Sequence, residues 1–192
     1  MKYFLKDNSY YIIRLLGTQV GLTVFAMMLT FAAVAANDSL SLIASVFSVL
    51  FYCALVYSTC WEMGAKNEEK IEAGRLVQSK GHGFAVCAVS YVPVALLVLL
   101  LWVGLAFFDQ QWAVNLFYIV DKILLFVFAM YRGIVIWAVN AIFGSLTQAW
   151  DHALVLALLY TASLLPGILA AGIGYLFGRK GIALSKPKHS VE

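Results

Sequence analysis

Residues 112–150, WAVNLFYIVDKILLFVFAMYRGIVIWAVNAIFGSLTQAW, decide how this chain is arranged. The stretch is 39 residues long and its only charged residues are Asp121, Lys122 and Arg132. A spanning helix needs about 20 residues at a rise of about 1.5 Å across a hydrocarbon core of about 30 Å, so two short crossings fit. On its N-terminal side lies the apolar run Phe84 to Phe108, closed by Asp109; on its C-terminal side Asp151 precedes the run Ala153 to Phe177, which ends at Gly178-Arg179-Lys180. Lys and Arg accumulate on the cytoplasmic side of membrane proteins. Both flanking runs therefore turn their acidic ends outward, and the stretch between them must cross the membrane an even number of times. Two crossings, 112–131 and 134–150, put Arg132-Gly133 in a tight cytoplasmic turn. No crossing makes the stretch a re-entrant helical hairpin on the outer side, although Ile123 to Phe143 is very apolar for that. The sequence reading favours two.

The same charge sorting runs through the whole chain. Eleven of the thirteen Lys and Arg residues fall in three polar segments: Lys2, Lys6 and Arg14; Lys66, Lys70, Arg75 and Lys80; and Arg179, Lys180, Lys186 and Lys188. Only 12% of the 192 residues are charged, 63% are hydrophobic, and mean hydropathy is +0.89. An ordinary soluble domain carries about 25% charged residues, so a soluble fold is excluded. The expected fold is an all-α polytopic transmembrane bundle occupying 1–192 as one domain. Its spans are 12–36, 40–63, 84–108, 112–131, 134–150 and 153–177, six in number, with four plus a re-entrant hairpin as the alternative. Both termini and the loop 62–82 are cytoplasmic. The run Ala33-Val34-Ala35 resembles a signal-peptidase site, but the apolar stretch is long for a leader and an uncleaved first helix is preferred. The net charge of +3 reads as topogenic charge and contact with anionic lipid rather than as a nucleic-acid footprint.

Asn115, Lys122, Arg132 and Asn140 recur at intervals of 7, 10 and 8, which keeps them roughly on one helical face. With Asp121 they form the candidate ligand-binding set. Charge at bilayer depth usually faces a protein interior or an aqueous cavity. A cavity binding a polar or anionic solute through Lys122 and Arg132 is one reading; simple snorkelling of two long side chains is the other. Asp121 and Lys122 are sequence neighbours and need not pair.

Gly167, Ala171, Gly174 and Gly178, spaced 4, 3 and 4, give the last span a smooth packing face, and Gly17 and Gly21 form a second, shorter one. These faces are expected to pack on each other within the subunit, or to meet a partner. Pro93 and Pro166 interrupt apolar runs and read as kinks or, in a six-span chain, as matched breaks of a three-plus-three inverted repeat. Glu62 and Lys66, and Glu72 and Arg75, have helical spacing, and Ile71, Leu76 and Val77 suit the membrane surface; a cytoplasmic protein partner would use this loop. Tyr10, Tyr11, Trp61, Trp102, Trp112 and Trp150 fall near span ends as an aromatic belt. Cys53, Cys60 and Cys87 lack ligand spacing, and His82, His152 and His189 are dispersed, so no metal or cofactor is expected. Asp151-His152 has no nucleophile nearby, and no catalytic set is found.

Trp61-Glu62-Met63-Gly64-Ala65-Lys66-Asn67 and Gly174-Tyr175-Leu176-Phe177-Gly178-Arg179-Lys180 resemble segments of small uncharacterised bacterial polytopic membrane proteins. The resemblance implies a bacterial inner-membrane setting, with Trp61, Gly64 and Tyr175 at cytoplasmic span ends, and brings no activity with it. The expected function is a transport-related or accessory membrane subunit without enzymatic activity. The alternative is a noncatalytic scaffold, assembly factor or regulator.

Overall fold

The computed structural model describes residues 2–34, 38–74, 81–143 and 149–182, and every regular element among them is helical. Long apolar runs leave the backbone no polar partner but itself, which in lipid makes the helix the only open-chain solution. Helix α1 (Lys2–Val34) and helix α2 (Asp38–Glu72) run antiparallel, with Arg14 paired to Glu62 at 2.6 Å and the Phe25 ring 6.4 Å from that of Phe51. Helices α3 (His82–Ser90) and α4 (Val92–Ala106) meet at a 63° bend. Pro93 causes it: lacking an N–H, it is accommodated in the first turn of a new helix and not in the middle of an old one. Helix α5 (Gln111–Val127) folds back along α4, bringing Ala113 and Phe117 against Gly104. After a 3₁₀ turn (Ala129–Tyr131), helix α6 (Arg132–Phe143) departs at 81°. Helices α7 (Ala149–Ala162) and α8 (Leu165–Arg179), with Pro166 in the first turn of α8, complete the bundle.

The centre of the bundle is the parallel pair α2 and α8. Gly174 lies on Tyr57 and Gly178 on Trp61, so closely that a methyl group at either glycine would meet α2 backbone. Arg179 reaches Glu68 at 2.6 Å, and Trp61 Nε1 donates to the Ile182 carbonyl at 2.8 Å. Across α3, Gly83 packs on Tyr175 and Ala171, while the Tyr91 and Tyr52 hydroxyls share a 2.5 Å hydrogen bond beside Gly167. Trp102 Nε1 donates to Thr161 Oγ1 at 3.0 Å, so α3 and α4 together run antiparallel to α7 and α8. These contacts give the molecule a charged end, holding Arg14, Glu62, Lys66, Glu68 and Arg179, and a far end, where α1 meets α2 and α4 meets α5.

Three described stretches, Lys6–Thr30, Ser39–Glu72 and Ala153–Arg179, are long and apolar enough to cross a membrane, and the two bent pairs raise the number to at most five. The six-span count is therefore not confirmed. The difference lies in the two spans expected over 112–131 and 134–150, where the described Gln111–Val127 and Ala129–Ala141 form one sharply bent pair. Thr23 Oγ1 donates to the Val127 carbonyl at 3.1 Å and Gly133 N donates to Ser45 Oγ at 2.7 Å. Thr23 is nine residues, about 14 Å along the helix, from Arg14, so the Arg132-Gly133 turn does not reach the charged end. Within the expected loop 62–82, α2 continues to Glu72 with Lys66 bonded to Glu62 at 2.7 Å. Arg75, Leu76, Val77, Lys80, Lys186, Lys188, His189 and the Ala35 junction lie outside the described residues, as do the side chains of Asp38, Trp150, Asp151 and His152.

The two small-residue faces do not meet. Gly167, Ala171, Gly174 and Gly178 are buried against α2 and α3, whereas Gly17 and Gly21 have no neighbour within 4 Å of an added methyl.

Candidate functional site

The bend between α5 and α6 is held by polar groups of the first two helices. Thr23 and Thr30, one heptad apart on α1, donate to the carbonyls of Val127 and Ala129, where the change of helix axis frees backbone acceptors. On α2, Ser41, Ser45 and Ser48 form a buried polar stripe, and Gly133 sits so close to the Ser41 carbonyl that only glycine fits. This packing delivers Arg132 to the far half of the bundle, directly after the 3₁₀ turn.

Three concave sites adjoin Arg132. One of about 320 Å³ is lined by Met27, Thr30, Lys122, Leu125, Phe126 and Ala129 besides Arg132. A second, of about 260 Å³, is walled by Ser39, Ser41, Gly133, Trp137 and Asn140. The third, of about 140 Å³, places Asp121 and Tyr160 near Arg132. Asp121 accepts a hydrogen bond from the Tyr160 hydroxyl at 3.1 Å, and Tyr160 stacks on Phe128 with centroids 5.6 Å apart. Among the described residues, neither Lys122 nor Arg132 forms an ion pair, and the buried atoms Arg132 Nε and Ser41 Oγ have no hydrogen-bond partner. A charged side chain at bilayer depth costs about 2.5 to 3.5 kcal/mol on insertion scales. Two cations beside one concavity, neither in an ion pair among the described residues, can stabilise an anion there, with the Asp121 carboxylate beside Arg132 in the neighbouring site as the opposing charge.

Four of the five residues singled out in the sequence thus gather around the bend: Asp121, Lys122, Arg132 and Asn140. Asn115 does not. It is exposed near the start of α5, where Gln111 Nε2 donates to it at 3.4 Å, and it lines none of these sites. The intervals of 7, 10 and 8 presuppose one unbroken helix, and the 81° bend between Lys122 and Arg132 resets the phase. Thr30, Ser41 and Tyr160 escaped the sequence reading. A signal existed for the first two, because Thr23 and Thr30 at i,i+7 and Ser41, Ser45 and Ser48 at spacings of 4 and 3 place hydroxyls on single faces of apolar helices. Tyr160 in its apolar run carries no comparable mark.

His82 Nε2 lies 2.8 Å from Asn8 Oδ1, Cys60 and Cys87 are buried and Cys53 half-buried. No three His, Cys, Asp or Glu side chains converge among the described residues. Comparison with protein-family models, with curated proteins and with solved structures returned no match.

Proposed function

We propose that this chain is a transport-related or accessory membrane subunit whose bent pair α5–α6 frames an anion-accepting cavity. In this reading α1, α2, the α3–α4 pair and the α7–α8 run cross the membrane, and α5–α6 is re-entrant from the outer side. The charged end, with its cluster of Arg14, Lys66 and Arg179, is cytoplasmic under the positive-inside rule, with the chain in a bacterial plasma membrane. The observation that carries the reading is the convergence of three concave sites on Arg132, with Lys122 lining the largest and no ion pair on either cation among the described residues. The matching test is native mass spectrometry of the intact protein extracted from native membranes in mild detergent. A bound anionic molecule that is lost in both Lys122→Met and Arg132→Met supports the proposal. Retention unchanged in both variants overturns it.

A second reading, a noncatalytic scaffold or regulator, draws on the helical extension of α2. At 35 residues α2 is about 52 Å long, well beyond the hydrocarbon core, and Glu69, Lys70 and Glu72 are exposed on its projecting end. A stoichiometric cytoplasmic partner released by Glu69→Lys with Lys70→Glu would decide for it.

A further inference from the structure

We infer that the cavity's ligand is an anionic phospholipid of the far-end leaflet, with its phosphate at Arg132 and an acyl chain along Met27, Leu125 and Phe126. This rests on the anion-accepting reading of the same cavity and names the anion's source. Arg132 stands between two compartments, of which the second carries more polar groups in its wall. On one side the wall is Met27, Leu125, Phe126 and Ala129, relieved only by Thr30 and Lys122. On the other side Ser39, Ser41 and Asn140 stand among Leu42, Ile136 and Trp137, with the Ser41 hydroxyl and Arg132 Nε buried and without partners among the described residues. A small inorganic anion uses only the second compartment and leaves the apolar one without an occupant. An amphiphile fills both, and a cation at their junction matches the position of a phosphodiester between glycerol-linked chains and a hydroxyl-bearing headgroup. Access is lateral: Phe126, in the wall of the apolar compartment, is also exposed on the outer surface of the bundle, which the bilayer would cover. Two cations also disfavour a headgroup ending in quaternary ammonium, so the preference is for net-anionic over zwitterionic lipid.

The full-length protein is delipidated in detergent and exposed to phosphatidylglycerol, to phosphatidylcholine or to inorganic phosphate, and bound species are counted by native mass spectrometry. Retention of one phosphatidylglycerol at least tenfold better than phosphatidylcholine, reduced tenfold or more in Arg132→Gln and in Lys122→Gln but not in Lys180→Gln at the opposite end, is the expected result. The elution profile and helicity of each variant are recorded alongside. Should Arg132→Gln unfold, the exposed Lys122→Gln still decides. Equal retention of the two lipids, or lipid retention indifferent to both cavity substitutions, overturns the inference. Phosphate binding without phosphatidylglycerol binding overturns the lipid as ligand and leaves the anion-accepting cavity standing. Failure of the wild type to bind any of the three probes, with no anion retained from native membranes, overturns both.

Discussion

Gly133 and Arg132 are neighbours with opposite requirements, and the bend is the compromise between them. Gly133 must be pressed against α2, where its N–H is held by Ser45 Oγ at 2.7 Å. Arg132 must remain beside space large enough for its guanidinium. A methyl group at position 133 would run into the Ser41 carbonyl, so Gly133→Ala is expected to lift α6 from α2 and destabilise the protein by about 2 to 3 kcal/mol. Denaturation followed by circular dichroism in detergent measures this, and a change under 0.5 kcal/mol would refute the packing. Thr23→Val keeps the shape and removes one donor to Val127, for an expected loss of about 1 kcal/mol in the same assay. Tyr160→Phe leaves Asp121 without its described partner. If Tyr160 holds Asp121 away from the cations, this variant weakens anion retention at Arg132, and retention equal to wild type would show that Asp121 is held by other means.

At the scale of elements, two small-residue faces of similar sequence have different fates. Gly174 and Gly178 face α2 backbone, whereas Gly17 and Gly21 face nothing within 4 Å. Gly174→Leu is therefore expected to separate α8 from α2, costing about 3 kcal/mol or more, while Gly21→Leu stays within about 0.5 kcal/mol. Thermal unfolding monitored by size-exclusion chromatography separates these outcomes, and equal loss in both would mean that α1 has a partner along that face. Spacing marked both faces as lined by small residues and did not say what each meets, because GxxxG describes one surface and packing needs two. The prolines behaved similarly. Pro93 and Pro166 were legible as interruptions, yet one accompanies a 63° bend and the other lies within a run counted as one candidate span. The angle depends on neighbours such as Tyr91, Tyr52 and Gly167, which are far apart in sequence.

For the whole molecule, the class and the alternation of polar and apolar segments were readable from charge sorting, since burying charge in lipid is costly wherever it occurs. What could not be read was the route of 112–150. Its apolarity is compatible with crossing and with folding back, and the contacts of Thr23, Ser41 and Ser45 that hold the bend come from helices about 90 to 100 residues earlier in the chain. Single cysteines at Gln111 and Asn140, in a background lacking Cys53, Cys60 and Cys87, test the path. Labelling of both by an impermeant maleimide from outside intact cells, with Arg132→Cys not labelled from the cytoplasm, is expected for a re-entrant pair. Labelling of Gln111→Cys and Asn140→Cys from opposite sides would instead mean a broken crossing, and cytoplasmic labelling of Arg132→Cys a six-span chain.

The parallel seam between α2 and α8 also dictates an order of manufacture. Tyr57 and Gly174 are over one hundred residues apart, so a growing chain delivers its second helix to the bilayer long before the ribosome has made that helix's principal partner. Until translation passes residue 165, the groove over Tyr57, Trp61 and Gly64 stays open and needs shelter from lipid or from the insertion machinery. A premature stop in α7 would therefore remove the keystone of the bundle and not a dispensable tail, producing a chain that quality-control proteases recognise by its unclosed second helix.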